Sequence, residues 1–397
     1  MKIVLFCHPT YFASQSMPRF SRMLKSSYEA RGHEVAVWAP RPNFRSLVAG
    51  SRLAKWAGYI DQYLLFPAWV RKALLSAPRD TLFVFCDQAL GPWVPLVKDR
   101  PHVVHVHDLL ALRSALGDLK ENPTSLTGRI YQRYIRHGFR QARHFISVSK
   151  KTRDDLHRFG QVSAITSEYV YNALNFPYSQ LSREDAERVL RQAQLPVSTE
   201  GMLLHVGGGQ WYKNLAGVIS IYAQYARQVS HPLALWCISP KPNEAVNAAL
   251  SKVPENGRVM FFSNLDNATL QAAYSFARVF LFPSLAEGFG WPIVEALACG
   301  CPVITSDEPP MNEVKGEGVF YIPRLQLTED VGTWAAQSAV LLGKLVSQSA
   351  AGPIIRPECA KGWAKHFEAD KAIDAYLSIY EKVFRASQAQ ALEVTRI

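Results

Sequence analysis

Two glutamates, Glu287 and Glu295, stand eight positions apart in "SLAEGFGWPIVEALACGCPVITSD" (residues 284–307), with Gly288, Phe289, Gly290 and Trp291 between them. Carboxylates accept hydrogen bonds from hydroxyls, and amides freed by glycine at a helix amino terminus attract phosphate or sugar oxygens. A sugar nucleotide carries both kinds of group. A second stretch, "HVGGGQWYKNLAG", sets three glycines, Gly207, Gly208 and Gly209, ahead of Lys213 and Asn214. Close backbone approach beside a cation makes a phosphate cradle. The stretch is not a Walker A loop, because Tyr212 precedes Lys213 and Asn214 follows it, and the first strand does not open onto Gly-x-Gly-x-x-Gly. P-loop ATPases and ordinary nicotinamide dehydrogenases thereby lose their main support. The plain alternatives are a tight turn with a surface lysine, and for Glu295 a carboxylate complementing a helix dipole. The dipole explains Glu287 poorly, since that residue lies before the helix.

Other candidates fall at strand ends. In "HVVHVHDLL" the period of two puts His105 and His107 on one face, and His107 is followed by Asp108. No third ligand follows at metal spacing, so His105 is expected to be structural and His107 to meet a ligand. Ser149 ends "ISVS", where capping the next helix would suffice to explain it. Asn172 in "YVYNALN" occupies the same kind of position.

The elements that must hold these residues read as alternating strands and helices, the α/β pattern. "RVFLFPS" (278–284) is a strand, Pro292 suits the first turn of a helix ending at Gly300, and "CPVITS" is the next strand, so the glutamate loop lies at the carboxyl edge of a parallel sheet. Earlier strands are expected at "KIVLFC", "EVAVWA", "TLFVFC", "HVVHVH" and "HFISVS". The pattern restarts after a charged helical connector (183–194) with "GMLLHVGGG", "LALWCIS" and "RVMFF". Expected domains are 1–175, 176–375 and a helical tail at 376–397 that returns to the first. Two doubly wound domains would face one another across a cleft.

Composition sets outer bounds. The 397 residues are 48% hydrophobic and 19% charged, ordinary for a globular chain of two domains. "MKIVLFCHPTYF" is too short an apolar run for a signal peptide and reads as a first buried strand, and no apolar run is long enough to span a bilayer. Six scattered cysteines without a Cys-x-x-Cys pair suggest reduced thiols in a cytoplasmic protein. Residues 1–175 hold 25 Lys/Arg against 12 Asp/Glu, whereas the remainder holds 19 against 21. That excess points to an anionic lipid surface or an acidic substrate rather than to nucleic acid, for which no recognition motif is present. "GYIDQYLLFPAWVRKALL" (58–75) reads equally as an interfacial segment or a buried connecting helix.

The chain resembles the retaining glycosyltransferases of family 4, the GT-B fold group related to glycosyl transferase group 1. "EGFGWPIVEALACGCPVITSD" matches that family's Glu-x7-Glu motif and its trailing Gly-x-Pro-Val pattern; "VHVHDLL", "ISVSKKTRDDL", "VYNALN" and "YKNL" match more weakly. The resemblance implies that Glu287 and the amides of residues 289–291 hold the donor sugar and that Glu295 accepts from the ribose. By the same analogy Lys213, with the glycine loop and Asn214, binds the diphosphate, and His107 touches the transferring sugar. It implies hexosyl transfer of a mannosyltransferase-like kind, from a nucleoside diphosphate sugar to a polysaccharide or lipid-linked acceptor. Configuration is retained, and no metal or other cofactor is called for. The location implied is cytoplasmic and peripheral on the inner membrane face, with oligomeric state left open. Two features depart from the family. The loop "CHPTYFASQSMPRF" lacks a Gly-Gly turn, and Gly208 stands where many relatives carry an arginine. A sugar-nucleotide epimerase or a non-catalytic GT-B subunit are the alternatives.

Overall fold

A computed structural model describes residues 1–11 and 16–395. The chain divides into two compact units, residues 1–175 with 369–397, and residues 176–368. The helix Ala369–Thr395 counts with the first unit from its start, so the first unit takes over residues 369–375 from the expected second domain. Residues 12–15 of the amino-terminal loop and 396–397 of the tail lie outside the described residues.

Unit one holds a six-stranded parallel sheet: β1 Lys2–Phe6, β2 Glu34–Trp38, β3 Leu82–Phe85, β4 His102–Val106, β5 His144–Ser147 and β6 Thr166–Tyr169, in the order β2-β1-β3-β4-β5-β6. Unit two holds β7 Leu203–Val206, β8 Leu235–Ile238, β9 Val259–Phe262, β10 Val279–Phe282, β11 Val303–Ser306 and β12 Val319–Ile322, in the order β12-β11-β10-β7-β8-β9, also parallel. The inner strands are buried along most of their length, and at every position in β3 "LFVF" and β10 "VFLF", because helices cover both faces. Both units are therefore Rossmann-like.

Each strand is shorter than its apolar run suggests; β10 stops before Pro283, which has no amide to give to the ladder. Two strands fall outside the expected set. β6 is "TSEY", an edge strand paired only with β5, and β12 is "VFYI", paired only with β11. Residues 54–74 form one helical stretch, Ala54–Ile60 running through a five-residue π-turn, Asp61–Leu65, into Phe66–Leu74. One side buries Gly58, Asp61, Gln62, Phe66 and Val70, and the other lies in solvent.

The terminal helix docks on the face of β1, β3 and β4, where Ile373, Tyr376, Tyr380 and Val383 join Leu5, Val84 and Val103. Tyr28 Oη donates to Tyr380 Oη at 3.1 Å, and His105 Nε2 lies 2.5 Å from the same oxygen. His105 is thus a packing histidine, kept neutral by burial, which pulls its pKa well below the usual value. Replacing Tyr380 by phenylalanine strands both partners. We expect a loss of about 1–3 kcal/mol in denaturant unfolding, with the helical circular dichroism unchanged. An unaltered unfolding midpoint would leave the tail held by apolar contact alone.

Candidate functional site

The order of strands in unit two reverses between β7 and β10. Successive right-handed crossovers leave β7 toward β8 and β10 toward β11, in opposite directions, so their following helices lie on opposite faces and the two loops part at the carboxyl edge. Ligands of open α/β sheets bind in such a crevice. The two sequence stretches that opened the functional reading are these two loops.

Several contacts stitch them together. Leu285 N donates to Tyr212 O at 2.7 Å, and Asn214 Nδ2 donates to Pro283 O at 3.0 Å, with Asn214 in the left-handed region at φ 54°. Lys213, in the turn Trp211–Lys213, reaches Glu287 Oε1 with its ammonium at 2.8 Å, and both side chains are largely buried. The ammonium also stands 4.7 Å from the centroid of the Phe282 ring. Arg324 Nε donates to Leu285 O at 2.7 Å and steadies the loop from the side of β12.

The three glycines are not equivalent. Gly209 has φ +80°, and a Cβ on Gly207 would meet His205 Nε2 at 2.9 Å and Lys213 Cβ at 3.3 Å. The three atoms nearest a Cβ on Gly208 all belong to the side-chain amide of Gln210, from 2.7 Å, and its φ lies outside the left-handed region. Gly290, at φ +97°, caps the helix Trp291–Ala298, whose first turn carries Pro292. Phe289 is buried near Phe367, 5.9 Å between ring centroids, and anchors this turn.

Glu295 lies inside the helix Trp291–Ala298 and accepts a 3.0 Å hydrogen bond from Tyr274 Oη. Burial, with Glu295 beside it, raises the Tyr274 pKa well above the ordinary value, so the phenol stays a donor. His205 escaped the sequence reading, although "LLHVGGG" places it at the strand end beneath the glycines. Its Nδ1 bonds Leu281 O at 2.8 Å, its Nε2 is buried without a partner among the described residues, and burial brings its pKa down to about 4, with Lys213 adding to the effect.

A stability signature follows from that depression. The unfolded histidine protonates near 6.5 while the folded one resists to about 4. His205 therefore contributes stability in full above about 6.5, lost progressively as pH falls through about 4, at most about 3 kcal/mol. We expect the melting temperature to fall as the pH drops from 6.5 to 4, and to fall less steeply in His205→Gln. A flat profile across that window would contradict it.

Unit one has its own reversal, between β1 and β3. There His8 Nε2 meets Asp87 Oδ2 at 2.8 Å, and Asp87 Oδ1 accepts from Ala89 N at 2.9 Å. Burial works to raise the Asp87 pKa, but the His8 imidazole, with His107 and the Ala89 amide, outweighs it and the net shift is downward. His107 is buried at the end of β4 with Nε2 2.9 Å from Cys86 O and its ring edge-on to Phe20. Burial lowers its pKa against the pull of Asp87, so the imidazole is neutral, with its proton on Nε2 and a lone pair on Nδ1. Asp108 accepts from Leu110 N, and Ser149 caps the helix Lys150–Asp155 by accepting from Thr152 N at 3.0 Å. Asn172 is buried with no partner for its Oδ1 among the described residues. Lys213, Glu287 and the two glycine loops thus share one crevice in unit two, Glu295 follows in the adjoining helix, and His107, Asp108, Ser149 and Asn172 belong to unit one. No group of three His, Cys, Asp or Glu side chains among the described residues could hold a metal ion.

Comparison with known proteins adds a family context. Residues 187–329 match the family model "Glycosyl transferases group 1", and residues 17–176 match "Glycosyltransferase Family 4". The O-antigen chain mannosyltransferase B of Escherichia coli is 25% identical over 191 residues, 48% of this chain and 50% of the relative. The O-antigen chain mannosyltransferase RfbU of Salmonella typhimurium is 23% identical over 248 residues, 62% of this chain and 61% of the relative. The matched stretches thus span half to about three-fifths of those curated relatives. Among solved structures, the sucrose-phosphate synthase of Thermosynechococcus elongatus superposes with a TM-score of 0.70 at 18% identity, covering 97% of this chain and 99% of that one.

Proposed function

We propose, for a chain that belongs to the group 1 glycosyltransferases of the GT-B fold, that it moves a hexose from a nucleoside diphosphate sugar to a hydroxyl acceptor with retention of anomeric configuration. The observation that carries this reading is the Lys213–Glu287 pair, which joins the loops of β7 and β10 at the point where the strand order reverses. An ammonium has three donors, so Lys213 can hold a diphosphate oxygen while Glu287 turns to sugar hydroxyls. Gly207 and Gly209 bring the backbone close to the phosphates, and the amino terminus of Trp291–Ala298 adds its dipole. Glu295, fixed by Tyr274, is assigned to the ribose.

As charge grows on the leaving diphosphate, Lys213 and the helix terminus stabilise it, and the diphosphate takes the acceptor proton on the same face. The lone pair on His107 Nδ1 accepts from a hydroxyl of the transferring sugar. No metal or other cofactor is assigned a role. The names of the two curated relatives support mannose as the sugar and a surface polysaccharide or its lipid-linked precursor as the acceptor.

Incubating the purified protein with UDP-, GDP- and ADP-sugars and candidate acceptors tests this directly. Diphosphate release with an axial-to-axial product, read from the anomeric coupling constant, is the expected result. An inverted product would overturn retention, an altered donor sugar would mean an epimerase, and neither release nor alteration would leave a binding subunit.

A further inference from the structure

We propose that the His8–Asp87 pair of unit one binds the acceptor: His8 takes a hydrogen bond from a neutral sugar hydroxyl, and Asp87 holds the ring in the tautomer that can do so. The identity of that second substrate rests on the transferase reading above; the geometry of the pair does not.

A transferase needs a place for a second substrate, and unit one has a crevice of its own where the strand order reverses between β1 and β3. His8 follows β1 and Asp87 follows β3, so the pair spans that reversal. Their side chains are 19% and 12% exposed, buried enough to be held and open enough to be reached. His107 ends β4, the strand beside β3, within electrostatic reach of both His8 and Asp87. The histidine assigned to the transferring sugar and the one assigned to the acceptor are thus neighbours on one edge of one sheet.

The tautomer follows from the partner. A carboxylate only accepts, so the proton of the neutral imidazole is on Nε2, 2.8 Å from Asp87 Oδ2, and the lone pair is on Nδ1. Asp87 is fixed in turn by Ala89 N, which donates to its other oxygen at 2.9 Å. Capping the helix Gln88–Val97 occupies that one oxygen, and the second is spent on orienting a histidine from another strand. Charge then selects the ligand class. A phosphate would bring lone pairs and negative charge against an imidazole lone pair and an ionised Asp87, and the helix terminus that attracts anions is already taken by Asp87 itself. A sugar hydroxyl brings a hydrogen. The loop "CHPTYF" lacks the Gly-Gly turn of the family it resembles, so a side-chain acceptor stands where glycine amides, which are donors, would otherwise be offered. This loop is built to read a hydroxyl rather than an anion.

Nitrogen NMR of the full chain with labelled histidine, beside acceptor kinetics, tests the assignment, with octyl α-mannoside below its micelle concentration as the acceptor probe. The His8 signals, identified by their loss in His8→Gln, should show the proton on Nε2, and the mannoside should shift Nδ1 whereas inorganic phosphate should not. His8→Ala should raise the KM for the mannoside about tenfold and leave the affinity for nucleoside diphosphate unchanged. His8→Gln, whose amide gives a hydrogen to Asp87 and keeps an oxygen for the hydroxyl, should recover part of that loss. Asp87→Asn offers the ring a donor, so the proton should move to Nδ1 in the spectrum and KM should rise as in His8→Ala, with thermal melting to check that each variant is folded. A His8 signal indifferent to the mannoside, or a wild-type KM in folded His8→Ala, would overturn the proposal and leave the transferase reading standing. A His8 signal that responds to the mannoside in a protein that transfers no sugar would uphold the site and overturn the reaction instead.

Discussion

Glu287→Gln should lower the rate of sugar transfer by about ten- to a hundredfold while leaving the affinity for free nucleoside diphosphate unchanged or slightly improved. The structure gives the reason for the asymmetry. Glu287 is paired with Lys213 at 2.8 Å, so neutralising the carboxylate removes a competitor for the ammonium and leaves a diphosphate without its rival. A hydroxyl of the transferring sugar loses a charged acceptor at the same time, and such bonds contribute about 1.5–3 kcal/mol. Glu295→Gln should divide the other way: its side chain is buried against Tyr274 in the second turn of the helix, so nucleotide affinity falls and turnover of bound substrate follows only in part. Titration calorimetry on the two variants beside initial rates separates the roles. Equal losses of nucleotide affinity in both would remove the division between a sugar carboxylate and a ribose carboxylate.

The His107 assignment yields a companion expectation. A neutral imidazole with its proton directed at Cys86 O offers Nδ1 only as an acceptor, and its pKa is already lowered by burial. His107→Ala should cut transfer while leaving nucleotide affinity intact, at a cost of about 1–3 kcal/mol in stability from the lost buried ring and its bond to Cys86 O. A wild-type rate in that variant would reduce the ring to a packing partner of Phe20.

What the sequence made legible was local. The strand, glycine loop and helix around residue 290 follow from an apolar run, positive-φ glycine and an amino-terminal proline, all within one stretch of chain. The pairing of Lys213 with Glu287 spans 74 positions and exists because β10 inserts beside β7, a matter of strand order that no local pattern carries. His8 and Asp87, 79 positions apart, are joined in the same way across β1 and β3, and nothing in "CHPTYF" alone marks the histidine. β6 was hidden for a different reason. An edge strand needs only one hydrogen-bonded neighbour and one covered face, so "TSEY" lacks the apolar run that announces an inner strand. Ser149 shows the converse, a residue whose proposed cleft role is already answered by its cap on Thr152.

The departure at Gly208 gives the most discriminating expectation. With no arginine there, a diphosphate bound as proposed would rest on Lys213, the backbone around Gly207 and Gly209, and one helix terminus, so removal of the lysine ammonium should weaken nucleoside diphosphate binding about tenfold or more. Transfer should fall further, because negative charge grows on the leaving group just where the cation has gone. Lys213→Ala alone leaves Glu287 buried and unpaired, a loss that can reach about 3–5 kcal/mol and could unfold the loop. The double variant Lys213→Met with Glu287→Gln removes both charges at nearly constant volume and keeps the test readable: it should melt near the wild type yet bind the diphosphate as weakly as the single variant. Gly208→Arg should then restore part of the affinity in that background, since its φ lies outside the left-handed region and the atoms nearest a new Cβ are the end of the Gln210 side chain, which can turn aside. The same substitution at Gly209 should not rescue, because φ +80° strains any residue with a Cβ. An unaltered dissociation constant in the folded double variant would make Lys213 an ordinary turn lysine, and the three glycines before it a tight turn rather than a phosphate cradle.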